Sequence, residues 1–155
     1  MTEPATAPAP AKGLFVRVVG VITAPKAAFE EIAQAPRAFL AMLLVAAVSG
    51  LVLGGFFSTE VGKAAFMEQA LKSSGNPEAA ATGMQVILPY LWAMYGFGAF
   101  IWVPIGTVFM SGLIFVVFNA VMGGTASFKQ VMAITAHSQF VSVLGAIFTF
   151  SLNYF

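Results

Sequence analysis

The sequence predicts an all-α fold, a polytopic bundle of membrane-spanning helices, on two observations. Of its 155 residues 59% are hydrophobic and 8% charged, whereas ordinary soluble domains carry about 25% charged residues. No charge lies between Arg37 and Glu60 or between Glu78 and Lys129. An uncharged apolar run of about 18 residues suffices to cross a bilayer. The expectation is three spans in residues 13–155, or four if 86–122 folds back on itself, preceded by an interfacial helix.

The same counts exclude several classes of function. A net charge of +1 offers nothing to a polyanion, so no nucleic acid partner is expected. The chain has no Cys, no Asp and one His. Thiolate chemistry, two-histidine metal sites and Ser-His-Asp triads therefore cannot be assembled from it. No catalytic residue, metal or cofactor is expected.

Residues 1–12 are Pro, Ala and Thr in the main and read as a loose tail. Nothing there is a secretory signal, because the first long apolar run begins only near Phe39. Residues 13–35 read as an interfacial segment. LFVRVVGVI is too short to span, and its Val and Ile would also suit a strand. Pro25 then fits the first turn of a helix, where its missing N–H costs nothing. On that helix Ala28, Phe29, Ile32 and Ala33 share an apolar face, and Glu30 and Glu31 are expected to point to solvent.

Residues 38–58 form the first span. Ala46, Gly50, Gly54 and Ser58 recur every four residues along it, making a flat strip that lets another helix come close. Packing within the chain is the simpler reading; self-association through Ala46, Gly50 and Gly54 is the sharper one. Residues 59–85 form an extramembrane loop with a helix from Glu60 to about Ser74. Glu60 and Lys72 suit its dipole, and Glu68 and Lys72 are spaced as an i, i+4 pair. Asn76 followed by Pro77 marks a new helix start.

Residues 86–122 are the long apolar stretch. A straight helix of that length reaches about 55 Å, beyond the roughly 30 Å of hydrocarbon. Either one helix bends at Pro89 and Pro104, or a hairpin turns at 104–107. Tyr90, Trp92 and Tyr95 resemble an interfacial belt and favour the single helix; Trp102 reads as a lipid-facing or packing group and not as part of a cofactor box. Gly123 and Gly124 stop that helix. In the loop 123–130, Ser127 and Gln130 are spaced as a capping box. The third span, 131–153, is the most polar, with Thr135, His137, Ser138, Gln139 and Ser142. Five basic residues lie on the N-terminal side of three spans and two on the other, which puts the N-terminus in the cytoplasm.

An ionisable residue within a span is a functional candidate by default, and His137 is the one here. Its helical neighbours Ala133, Thr135, Gln139 and Val141 include no acid, so a hydrogen-bonded structural role is favoured over a proton relay. Asn119 and Gln139 are candidates for hydrogen bonds between helices.

Two segments together resemble the Yip family of small polytopic membrane proteins. One is VITAPKAAFEEIA, Val21 to Ala33, with Pro25, Phe29 and Ile32 just before the first span. The other is GGTASFKQVMAITAHS, Gly123 to Ser138, with Gly123, Gly124, Phe128, Lys129 and Gln130 between two spans. The resemblance runs from about Leu14 onward. It implies a cytoplasmic N-terminus, about five membrane helices and no enzymatic activity. Eukaryotic relatives sit in Golgi and endoplasmic-reticulum membranes and act in vesicle traffic. This Ala-rich, cysteine-free chain resembles the bacterial type, which implies the bacterial cytoplasmic membrane. It stops after the third span, so it looks like an N-terminal portion or a shortened member. Family members often carry Tyr where His137 stands. The functional expectation is a scaffold or adaptor acting through contacts with lipid and other membrane proteins. The alternative is a small transporter or channel subunit with a polar path at Asn119, His137 and Gln139.

Overall fold

The computed structural model describes residues 13–152; the expected tail at 1–12 lies outside them. Seven α-helices follow one another: α1 Leu14–Thr23, α2 Pro25–Gln34, α3 Phe39–Ser58, α4 Glu60–Ser73, α5 Pro77–Ile87, α6 Leu91–Val116 and α7 Phe128–Leu152. There is no strand among the described residues. Among the described residues three helical stretches are long and apolar enough to cross a membrane: Phe39–Ser58, Pro77–Val121 and Phe128–Leu152.

The segment that could have been strand or helix is helix, in two pieces. Ala24 breaks the run with φ −145° and ψ 63°, and Pro25 starts α2 at its first position. The two pieces fold into a helical hairpin. At the other end of α3, the Thr59 hydroxyl accepts from Gly62 N at 3.1 Å and donates to Phe56 O at 2.7 Å. That caps α4 while closing the turn. Asn76 caps α5 by accepting from Ala79 N.

The long stretch does not reverse at 104–107. Pro89 has no N–H for a helical bond, and a short 3₁₀ turn at Leu88–Tyr90 absorbs the defect before α6 begins. α6 then continues through Pro104. It ends in a π turn, Val117–Val121, which nothing in the sequence announces. Gly123 takes φ +71°, the left-handed region that glycine enters freely. Gly124 N donates to Phe118 O at 2.8 Å, closing the end of the helix. A Cβ on Gly124 would fall 2.8 Å from that same oxygen, so both glycines are required by geometry.

α3 and α6 make the broadest contact, and α7 packs against both. The small-residue strip is used inside the chain. A Cβ on Gly50 would lie 2.4 Å from Gly96 O, and one on Gly54 would lie 3.2 Å from Gly96 Cα. The α3 and α6 backbones thus touch where both lack side chains, as small residues allow in membranes. Phe56 stacks on Phe150 of α7 at 4.4 Å, and Phe57 meets Tyr95 of α6 at 4.4 Å.

At the opposite end the α1–α2 hairpin lies against α7. Val21, Ala28 and Ile32 share one buried cluster with Ala41 and Val45 of α3 and Ala133, Ala136, Phe140 and Val143 of α7.

Gly50→Ala is expected to destabilise the protein by about 1–3 kcal/mol, because the Gly96 backbone cannot yield as a side chain would. Gly55→Ala, whose Cβ meets nothing within 4 Å, is expected to be neutral or stabilising by up to about 1 kcal/mol. Reversible unfolding of both variants in mixed micelles checks the difference.

Candidate functional site

Polar chemistry concentrates where the hairpin meets the bundle. Arg17 of α1 is 3% exposed. Its Nη1 donates to Ala35 O at 2.9 Å, and its Nε lies 3.4 Å from Glu31 Oε1. Gln130 of α7 reaches the same place, its Nε2 donating to Ala33 O at 3.0 Å. The carbonyls ending a helix have no partner within it and carry the negative pole of its dipole. Here the end of α2 is closed by a guanidinium from one neighbour and an amide from another. This arrangement corrects the expectation for Glu31. It does not face solvent with Glu30; it turns inward to Arg17 and is only partly exposed.

Sequence reasoning missed this joint. Arg17 read as an interruption in an apolar run, whereas an arginine on a helix too short to span, with glutamates on the next helix, is itself a signal. A charge that cannot stay in the low-dielectric interior alone must find a counter-charge.

The expected family residues take different places around this joint. Pro25 is exposed and opens α2. Phe29 packs on the buried cluster and Ile32 is fully enclosed in it. Gln130 forms the expected box with Ser127: Ser127 N donates to Gln130 Oε1 at 2.8 Å, and Gln130 N approaches Ser127 Oγ at 3.4 Å. With its carbonyl oxygen used locally, the amide nitrogen of Gln130 is free to hold α2. Phe128 meets Phe115 edge-on at 5.9 Å, and Lys129 is exposed.

Asn119, His137 and Gln139 take separate partners. Asn119 Nδ2 donates to Ala126 O at 2.6 Å, so it staples the loop after α6 and does not join two spans. His137 is fully buried, with Nδ1 2.8 Å from Ala133 O. A carbonyl can only accept, so Nδ1 carries the proton. Nε2 has no partner among the described residues. Gln139 does cross between spans: its Nε2 donates to Thr107 Oγ1 at 2.6 Å, and the Thr107 hydroxyl in turn donates a hydrogen bond to Val103 O. Gln139 borders a groove of about 350 Å³ with Thr107, Thr135 and Ser138, and Asn119 and His137 do not line it. The polar path that the transport alternative requires is not assembled by these three side chains.

No group of three or more His, Cys, Asp or Glu able to hold a metal ion occurs among the described residues. At the far end of the bundle Lys63 pairs with Glu60 at 2.9 Å and Lys72 with Glu68 at 2.6 Å. The hydrogen bond from Lys72, and then its charge, hold the Glu68 carboxyl below the ordinary glutamate value. What that pair adds is present above the ordinary value and is lost as pH falls through the lowered one.

Removing one member of a buried pair costs about 3–5 kcal/mol. Arg17→Met is expected at the lower end of that range, since the Glu31 side chain keeps 23% exposure. Hydrogen exchange checks this: amides of α1 and α2 should exchange faster in Arg17→Met while those of α3 hold. The double change Arg17→Met with Glu31→Leu should recover most of the protection.

The family model for the Yip1 domain matches residues 19–155. No curated protein and no solved structure matches the chain.

Proposed function

The chain belongs to the Yip1-domain family, and from that premise we propose that this integral membrane protein acts by contact, as a scaffold or adaptor without catalysis of its own. Its field of action is membrane organisation or trafficking, in a bacterial cytoplasmic membrane with the N-terminus in the cytoplasm. The orientation rests on the excess of Lys and Arg on the N-terminal side.

The observation that carries the proposal is the docked hairpin. Arg17, Glu31 and Gln130 fix α2 against the bundle through bonds at 2.9 and 3.0 Å and an ion pair. Outward from that fixed base stand Lys26, Glu30 and Gln34 of α2, with Lys129 at the start of α7, all exposed. A rigid platform of this kind binds at lower entropic cost than a loose segment. Self-association through Ala46, Gly50 and Gly54 is left aside, because α6 of the same chain faces Gly50 and Gly54.

Photo-crosslinking groups at Glu30 and Gln34, used in native membranes, are expected to capture discrete protein partners. Pro25→Ala with Phe29→Ala should abolish most of that capture while the protein still inserts. An absence of captured protein at both positions, or a pattern untouched by the double change, would overturn the proposal.

A further inference from the structure

The outward side of α1 is apolar. Phe15 is 77% exposed, and Val16, Val19 and Ile22 are each more than half exposed. They stand at i, i+1, i+4 and i+7, one face of a helix. The helix's single cation points the other way, into the joint with Ala35 O and Glu31. The inner side of the hairpin, through Val21, shares its buried cluster with Ala38 and Ala41 at the start of α3 and with the N-terminal half of α7, whose first turn holds α2 through Gln130. The apolar face therefore stands beside the point where two spans begin.

Charge at this end is not balanced. Arg17 and Glu31 cancel each other, which leaves exposed Lys26, Arg37 and Lys129 against exposed Glu30. At the other end Lys63 and Lys72 face Glu60, Glu68 and Glu78, and both lysines are already paired. Among the described residues, three exposed cations against one exposed anion at one end oppose two against three at the other.

We propose that this end of the protein binds anionic phospholipid, with α1 lying in the headgroup zone, its Phe15–Ile22 face toward the acyl chains, and Lys26, Arg37 and Lys129 on the phosphates. The inference rests on the reading that α3, α6 and α7 span the membrane. Apolar insertion and cationic attraction reinforce each other at an anionic surface. The apolar side of α1 presents no polar side chain that a soluble protein partner could recognise. Lipid on this face leaves Glu30 and Gln34 of α2, both exposed, for the contacts proposed above.

The chain has no cysteine, so single-cysteine variants carry one nitroxide each. Labels at Phe15 and Val19 report α1; labels at Leu51 and Phe109 report the spans. The purified full chain is reconstituted in vesicles of phosphatidylcholine alone or with phosphatidylglycerol, and accessibility to oxygen is compared with that to a water-soluble nickel chelate. The expected result is an oxygen-to-chelate ratio several-fold higher at 15 and 19 with phosphatidylglycerol than without it. The combined change Lys26→Gln, Arg37→Gln and Lys129→Gln should bring the ratio down to its neutral-vesicle value. If 15 and 19 stay open to the chelate in both vesicles while 51 and 109 read lipid, the face awaits a protein and the inference fails. Equal immersion in both vesicles also defeats it, since anionic lipid then has no part. Chelate access at 51 and 109 would instead overturn the membrane-spanning reading itself.

Discussion

In hydrocarbon a polar group has no water to turn to, so each must be satisfied by the protein. The spans meet most of that demand within a single helix, with His137 Nε2 left without a partner among the described residues. Thr107, Ser111, Thr135, Ser138 and His137 each bond a carbonyl three or four residues back. Such bonds hide the hydroxyl or ring nitrogen without fixing any neighbour. Cohesion between α3 and α6 then comes from close backbone approach at Gly50, Gly54 and Gly96, where dispersion works at short range. Gln139 to Thr107 is a side-chain hydrogen bond that ties α6 to α7.

The hairpin obeys the same demand with stronger groups. Arg17 could have reached outward to water from an interfacial helix. Instead it is enclosed, and the Ala35 carbonyl and Glu31 receive it. Desolvating such a pair yields little net stability, so its contribution is to position: it holds the C-terminal end of α2 against α1. Gln130 adds a second fixed point from a distant part of the chain. Stiffness at this joint is what separates a docked platform from a tethered segment.

What the sequence disclosed follows the range of each interaction. Spans were legible because charge gaps and length act over whole segments. Asn76 with Pro77 and Ser127 with Gln130 were legible because a cap is made by residues three apart. The Arg17 and Gln130 bonds to α2 were not, as they join residues 18 and 97 apart, and no local pattern encodes them. Glu31 was misread for the same reason: helix periodicity says which side chains share a face and cannot say what lies opposite. The glycine strip was expected to be a contact surface, and the residue it meets, Gly96, became evident only with α6 in place.

The π turn at the end of α6 carries a consequence for side-chain aim. Each residue in an α-helix advances the direction of its side chain by about 100°, and a π turn holds one residue more than the α register allows. Asn119 sits inside that surplus, aimed at Ala126 O. A chain one residue shorter between Val117 and Val121 would regain ideal winding yet rotate the amide off its carbonyl. The irregular winding works as an angular spacer, giving up one helical bond so that the turn into α7 is latched.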